Sequence, residues 1–212
     1  INPKDLDVSV KVGWVKGLNR LYFLYEAYDD YWDFALYSNE RPYQNDIFEI
    51  SLDADLSGGP FIANPQIKDP VEGHFRFAGA HAQNYHIFTP SREKDWCMFW
   101  GPQQWAKQLP YANAAQKYAF KPGEPGHYIL EFWITPFDLA SPDGPKRSVE
   151  TKLTENKLIG LSFALIDYDD ANSGGTNNGF WNLSRHHTMY GKADELCAFK
   201  LMPLEPELVK PL

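Results

Sequence analysis

The stretch 43–59 (YQNDIFEISLDADLSGG) brings together an aromatic ring, a glutamate set among apolar residues, and an acidic glycine turn. From Asp46 to Asp53 the pattern has period two: Phe48, Ile50 and Leu52 point one way, Glu49 and Ser51 the other. Carboxylates accept hydrogen bonds from hydroxyls, and a flat ring covers the apolar C–H face of a pyranose. Tyr43 followed by Glu49 is therefore suited to a polyhydroxylated ligand. A solvated strand face beside a loop tyrosine accounts for the same residues without a ligand. The run Asp53-x-Asp55-x-Ser57-Gly58-Gly59 looks like the opening of an oxygen-rich calcium loop, in which alternate carboxylates converge on a hard cation. It lacks the bidentate glutamate of an EF-hand, and an acidic hairpin turn without metal is the competing reading. Asp167, in 167–172 (DYDDAN), opens a second oxygen cluster with the same two readings. Glu131 and Trp133 form another carboxylate–aromatic pair; were Glu131 about 5–10 Å from Glu49, the two acids would suit glycoside hydrolysis.

These residues need a scaffold, and the sequence supplies strands. Segments 8–15, 20–28, 46–53, 74–77, 95–99, 126–134, 158–167 and 197–202 alternate or are β-branched and aromatic, with Gly, Pro, Asn and Asp between them. Gly17-Leu18-Asn19 suits a hairpin connection, and 135–139 a single helical turn. Many strands without long helical periodicity predict an all-β, jelly-roll-like antiparallel β-sandwich. One domain is expected over 1–202, followed by an extended tail over 203–212 with its prolines. Long loops at 60–71, 101–116 and 141–156 are candidates to shape a site. In 158–167 the large residues Ile159, Leu161, Phe163 and Leu165 share one face. Gly160, Ser162 and Ala164 share the other, leaving room for a ligand or for bulky neighbours.

Composition narrows the function. The 212 residues carry a net charge of −8 and no basic run, which argues against a phosphate-tracking surface and hence against nucleic acid. Aromatics make up 16% of the chain, with 7 Trp, 12 Tyr and 14 Phe, more than a core alone requires. No apolar stretch approaches the roughly 20 residues that span a bilayer. The chain opens Ile1-Asn2-Pro3 without methionine, as a processed product would. Cys97 and Cys197 match no metal spacing; one disulfide or two unpaired thiols are both open. His186-His187 project to opposite sides of an extended chain, a poor arrangement for one ion. Motifs for a nucleophilic serine, a phosphate loop or a dinucleotide fold are missing.

Taken in order, several segments are similar to family 9 carbohydrate-binding modules. Residues 20–30 (RLYFLYEAYDD) and 43–55 (YQNDIFEISLDAD) resemble that family's "LYVAVEVTDD" strand and its "W-x-x-D-S-V-E-I-x-x-D". Residues 126–136 (GHYILEFWITP) resemble "Y-x-x-E-x-x-I-P-W", and 159–167 (IGLSFALID) resemble "I-G-F-N-V-Q-V-N-D". The close, from Trp181 through Tyr190 to 196–201 (LCAFKL), corresponds to the family's C-terminal strand. The resemblance spans about residues 8 to 202, and the usual opening segment has no counterpart. It implies a sandwich that grips a mono- or oligosaccharide, or a polysaccharide chain end, between two rings, here Tyr43 and Tyr190. The ligand glutamate falls on Glu49 and a ligand arginine on Arg76, with Trp181 as a further platform. It also implies structural calcium in some members, which points to Asp53, Asp55 or Asp167. Both clasping rings are tyrosine where the family has tryptophan, and a strand glutamine is replaced by Ala164. The expectation is a non-catalytic, monomeric module serving extracellular or periplasmic polysaccharide degradation. Related sandwiches of the DOMON type bind haem through Met and His, for which Met98, Met189, His86 and His187 are the candidates.

Overall fold

Alternation builds the strands, and cross-strand register decides what each one presents. The structure, a computed structural model, describes residues 1–34, 44–62, 64–69, 76–92, 95–169 and 177–204. Strands β1 (Leu6–Val15) and β2 (Leu18–Asp29) form a hairpin around Gly17, whose φ of 85° lies in the left-handed region that favours glycine. With β7 (Gly126–Ile134) and β6 (Ala112–Lys117) they make a four-stranded sheet in the order β1-β2-β7-β6. The second sheet runs β11 (Gly179–Asn182), β10 (Leu158–Asp167), β3 (Ile47–Asp53), β4 (Gln83–Arg92), β5 (Asp95–Phe99), and β12 (Cys197–Lys200) also pairs with β10. A short ribbon, β8 (Phe137–Leu139) with β9 (Val149–Glu150), lies apart. All of these pairings are antiparallel, and the architecture is a β-sandwich.

The core is aromatic. Leu21, Phe23, Tyr25 and Ala27 of β2 and Tyr128, Leu130, Phe132 and Ile134 of β7 are all buried, as period two requires. They meet Phe48 from the other sheet: Tyr25 stacks on it at 4.5 Å between centroids, and Phe132 meets it edge-on at 6.2 Å. Every residue of β3 is buried, so its outer face is covered as well.

Several stretches depart from the sequence expectation, strands β9 and β11 among them. Strand β4 was not expected because Gln83, Asn84, His86, Thr89 and Ser91 read as loop; all are buried at the centre of a sheet covered on both faces. Of the strand expected at 74–77, the described residues Arg76 and Phe77 form an exposed helical turn instead. The segment expected to be a helical turn is strand β8. Gln83 holds it extended, its side chain donating to the Thr135 carbonyl at 3.0 Å and accepting from the Phe137 N–H at 2.9 Å. Alanine-rich β6 has weak strand propensity but alternates buried Ala112 with exposed Asn113 along β7, so pairing overrides composition. Both cysteines are unpaired. Cys97 on β5 and Cys197 on β12 are separated by β4, β3 and β10, and strand spacings of about 4.8 Å put them beyond disulfide reach. Of the expected tail, 203–204 are exposed and 205–212 lie outside the described residues.

Candidate functional site

Register assembles a polar row on the outer face of the six-stranded sheet. Glu49 lies opposite His86 on β4 and Ala164 on β10; Ser51 lies opposite Asn84 and Ser162. One step along, Ile47 lies between Phe88 and Ile166, and Ile166 opposes Phe180. Above this row is a cleft of about 320 Å³ whose floor is Glu49, His86 and Ile166. Trp100, Tyr168, Phe180 and Asn177 wall it, and Tyr190 lines it from the 3₁₀ segment His187–Gly191. That segment is fixed at its last residue: the Gly191 carbonyl accepts from the N–H of Phe61 at 2.9 Å and of Ile62 at 3.1 Å. A side chain at Gly191 would come within 2.6 Å of Ile62, so only glycine allows this approach.

Glu49 is 1% exposed. Its Oε1 accepts from Asn84 Nδ2 at 2.6 Å, and Asn84 Nδ2 also reaches Ser51 Oγ at 2.7 Å. His86 Nε2 lies 3.2 Å from the same carboxylate oxygen, near enough for a charge contact but without hydrogen-bond alignment. His86 Nδ1 has no hydrogen-bond partner among the described residues, although the side chain is buried. Trp100 packs edge-on to the imidazole at 5.1 Å. The cleft floor thus carries an anchored carboxylate and an imidazole with unused hydrogen-bonding capacity, a combination that folded proteins rarely leave unsatisfied.

The expected site residues separate. Glu49 and Tyr190 line the same cleft. Tyr43 lies outside the described residues. Arg76 is exposed on the helical turn ahead of β4, not on a strand, and does not line the cleft. Trp181 points inward: it opposes Leu165, packs against the core, and lies over Gly179, where a Cβ would meet the indole. Its neighbour Phe180 takes the outer face that Trp181 was expected to hold. Room beside Gly160, Ser162 and Ala164 is partly filled by the chain itself: Ser184 N–H donates to Ser162 Oγ at 3.0 Å, and Leu56 approaches Gly160. His86, Trp100, Tyr168 and Phe180 were not expected here. For His86 the signal existed in its place opposite Glu49, but it required the unexpected strand β4.

Glu131 occupies the solvent face of the four-stranded sheet, where it lines a groove of about 500 Å³ with Tyr22 and Trp133. Glu49 and Glu131 therefore lie on opposite outer faces of the sandwich, with two sheets about 10 Å apart between them. This overturns the paired-acid reading. The groove is larger than the cleft, but its carboxylate is exposed and hydrated, whereas Glu49 is desolvated and held in place.

Two acidic clusters stand apart from each other. Asp53 Oδ2 accepts from the Gly58 N–H at 2.8 Å and Asp55 Oδ1 from the Ser57 N–H at 3.1 Å, as in a hydrogen-bonded acidic turn. Among the described residues they join no third ligand. Asp167 instead converges with Asp29 and Asp46, all buried, with one oxygen of each within 4.8 Å of the others. Asp167 is 2% exposed, and among the described residues neither of its carboxylate oxygens has a hydrogen-bond partner. Buried all-oxygen donors with unsatisfied lone pairs fit a hard divalent cation, so the geometry favours this cluster over Asp53 and Asp55.

Burial, and then hydrogen bonding and charge from Asp55, push Asp53 up to about 6. Asp55 is held below its ordinary value: burial opposes this, but hydrogen bonds from Ser57 outweigh it. The folded chain thus keeps a proton on Asp53 that the unfolded chain releases near pH 4. Stability should fall as pH rises from about 4 through 6 and then level off. Asp53→Asn keeps the acceptor for Gly58 and adds a donor toward Asp55. It is expected to be about 1–3 kcal/mol more stable than the parent at pH 8, converging with it below pH 4. Denaturant melts at pH 3.5 and 8 measure this, and a gap that does not change with pH would refute the assignment.

No protein-family model matches the chain, and no curated protein matches it in sequence. Among solved structures it is similar to a family 9 carbohydrate-binding module from Caldicellulosiruptor kristjanssonii in complex with cellotriose. The two share 17% identity over 98% of this chain and 80% of that one, with a TM-score of 0.59. At that identity the likeness is one of architecture. The chain has the β-sandwich fold of a family 9 carbohydrate-binding module.

Proposed function

We propose that the chain binds carbohydrate non-covalently in the cleft above Glu49. The observation that carries this reading is a buried, anchored carboxylate at the floor of an aromatic-walled cleft. A carboxylate offers about four acceptor sites, enough to take hydroxyl protons in addition to its bond from Asn84. His86 supplies a donor or an acceptor on the same floor. Tyr190, Phe180 and Trp100 provide apolar surface against the C–H faces of a sugar, with Tyr168 and Asn177 offering polar contacts at the rim. Tyr43 is the second ring of the clasp that the family resemblance implies. Asp29, Asp46 and Asp167 would hold calcium, which stabilises the ends of three strands and performs no chemistry on the sugar. Service to polysaccharide degradation outside the cytoplasm completes the reading. Among the described residues no helix is long and apolar enough to cross a membrane.

The haem alternative finds no support in placement. His86 and Met98 are direct cross-strand partners on one face, so they would approach a macrocycle from the same side, while Met189 is buried and His187 exposed. Calorimetric titration with mono- and oligosaccharides tests the proposal, and no heat with any member of a broad panel would defeat it. Two variants localise the site. Phe180→Ala should weaken saccharide binding about five- to tenfold while the fold melts near the parent temperature. Trp181→Ala should chiefly lower stability, by about 3 kcal/mol, because its ring packs in the core. The reverse pattern would place the site elsewhere.

A further inference from the structure

We propose that the outer face of the four-stranded sheet is a second glycan site, which takes an internal stretch of a neutral polysaccharide lying along the strands. It uses no residue of the cleft above Glu49, so the two readings stand or fall separately. Register lays out the face. Gly13, Tyr22, Trp133 and Asn113 are successive partners across β1, β2, β7 and β6, and Lys11, Leu24, Glu131 and Ala115 form the next row. Directly opposed side chains start about 5 Å apart, so Tyr22 and Trp133 are adjoining rings. Both line the groove of about 500 Å³, where Glu131, Asn113 and Lys11 supply polar contacts. Arg20 lies over the indole but does not line the groove, so it backs the ring and leaves the other side to a ligand. About 20 Å further along β2, Tyr28 meets His127 at 5.1 Å between centroids, and the pair lines a second hollow of about 360 Å³.

Folding alone does not explain Gly13. It pairs in register with Tyr22, its φ lies outside the left-handed region, and a Cβ placed there would meet nothing within 4 Å. Neither backbone conformation nor packing asks for glycine, which weakens a strand; its effect is to leave Tyr22 uncovered. Gly13, Asn113, Ala115 and Glu131 are exposed, and Tyr22, Leu24 and Trp133 are half-buried. Charge then selects the class of ligand. The whole chain carries −8, yet on this face Asp7, Glu26 and Glu131 are matched by Lys11, Arg20 and Lys117. Lys11 and Glu26 pair at 2.9 Å. A face without net charge has nothing to hold a polyanion. Rings flanked by an amide and a carboxylate instead suit the C–H faces and hydroxyls of a neutral glycan. Because Glu131 is hydrated, each contact is weaker than in the cleft. Chain length compensates, since both hollows lie on one face.

The test runs the full chain through native gels containing hydroxyethylcellulose, arabinoxylan or galactomannan, beside calorimetry with cellotriose for the cleft. At least one of these neutral polymers should retard the parent, and Glu49→Ala should keep at least half of that retardation. Gly13→Gln fills the groove without changing charge, and open space around the Cβ position spares the packing. This variant and Tyr22→Ala should each weaken polymer binding about five- to tenfold, with cellotriose binding and melting temperature near those of the parent. Polymer retardation without any cellotriose heat would support this site while counting against the cleft. No retardation by any of the three polymers, full retardation of both variants, or complete loss in Glu49→Ala alone overturns the proposal. Retardation by alginate, a polyanion, that Gly13→Gln removes would overturn the neutral class. Sedimentation showing a parent dimer that Gly13→Gln dissolves would also overturn it, by making a second copy of the chain the occupant of this face.

Discussion

Glu49→Ala is expected to reduce saccharide affinity about a hundredfold with little change in melting temperature. A hydrogen bond to a charged group is worth about 1.5–3 kcal/mol, and a factor of 100 in affinity is about 2.7 kcal/mol, so one or two hydroxyl contacts account for the loss. The fold tolerates the change because Glu49 points away from the inter-sheet core. Asn84 also keeps a partner in Ser51 Oγ at 2.7 Å. Glu49→Gln sharpens the test. It preserves shape but removes the charge, and when its oxygen stays with Asn84 its amide presents donors where the carboxylate accepted; about a tenfold loss is expected. Calorimetry with the tightest saccharide of the panel, alongside thermal melts, measures both. If Glu49→Ala binds as well as the parent, the carboxylate is a structural group and the cleft is not the sugar site.

Much of this arrangement is written in local periodicity. Tyr128, Leu130, Phe132 and Ile134 alternate with Ile129, Glu131 and Trp133 in the sequence, and the structure buries the first set and leaves the second at the surface or half-buried. The same rule gave Glu49 its outward direction. Period two cannot tell which outward face is covered. Glu131 and Trp133 look in sequence like Glu49 and its aromatics, yet Glu131 is hydrated and Trp133 carries the Arg20 guanidinium 3.8 Å from its ring centroid. Glu49, by contrast, lies at the floor of a cleft walled by segments distant in the chain. That difference is tertiary. Trp181 and Phe180 illustrate a related gap: a one-residue change of phase swaps core for cleft, and β11 is too short to fix its own phase. Register against β10 fixes it, by setting Trp181 opposite Leu165.

The acids show how spacing misleads where convergence is three-dimensional. Asp53 and Asp55 have the alternation of a calcium loop, and the turn satisfies them from its own backbone. Asp29, Asp46 and Asp167 have no common motif, being far apart in sequence. They meet because β2 and β10 end, and β3 begins, at the same end of the sandwich. A sequence motif can supply ligands at neighbouring positions; only topology supplies these.

The residue beside Glu49 tests the scaffold itself. Phe48 is fully buried between the sheets, stacked on Tyr25 at 4.5 Å and in contact with Phe132 and Phe163, at 6.2 Å and 5.9 Å between centroids. Phe48→Ala removes a ring from the point where both sheets meet, and the surrounding strands cannot collapse into the space without breaking their ladders. A loss of about 3–5 kcal/mol is expected, lowering the melting temperature by about 10 °C in a domain of this size. Phe48→Leu retains most of the volume and should cost less than half as much. Because Phe48 and Glu49 point to opposite faces, saccharide affinity of the Leu variant measured well below its melting point should stay within twofold of the parent. If Phe48→Ala melts within 2–3 °C of the parent, the two sheets do not depend on this aromatic contact. If Phe48→Leu instead abolishes binding at full stability, the cleft floor is mechanically coupled to the core, and Glu49 owes its position to packing beneath it more than to Asn84 and His86 beside it.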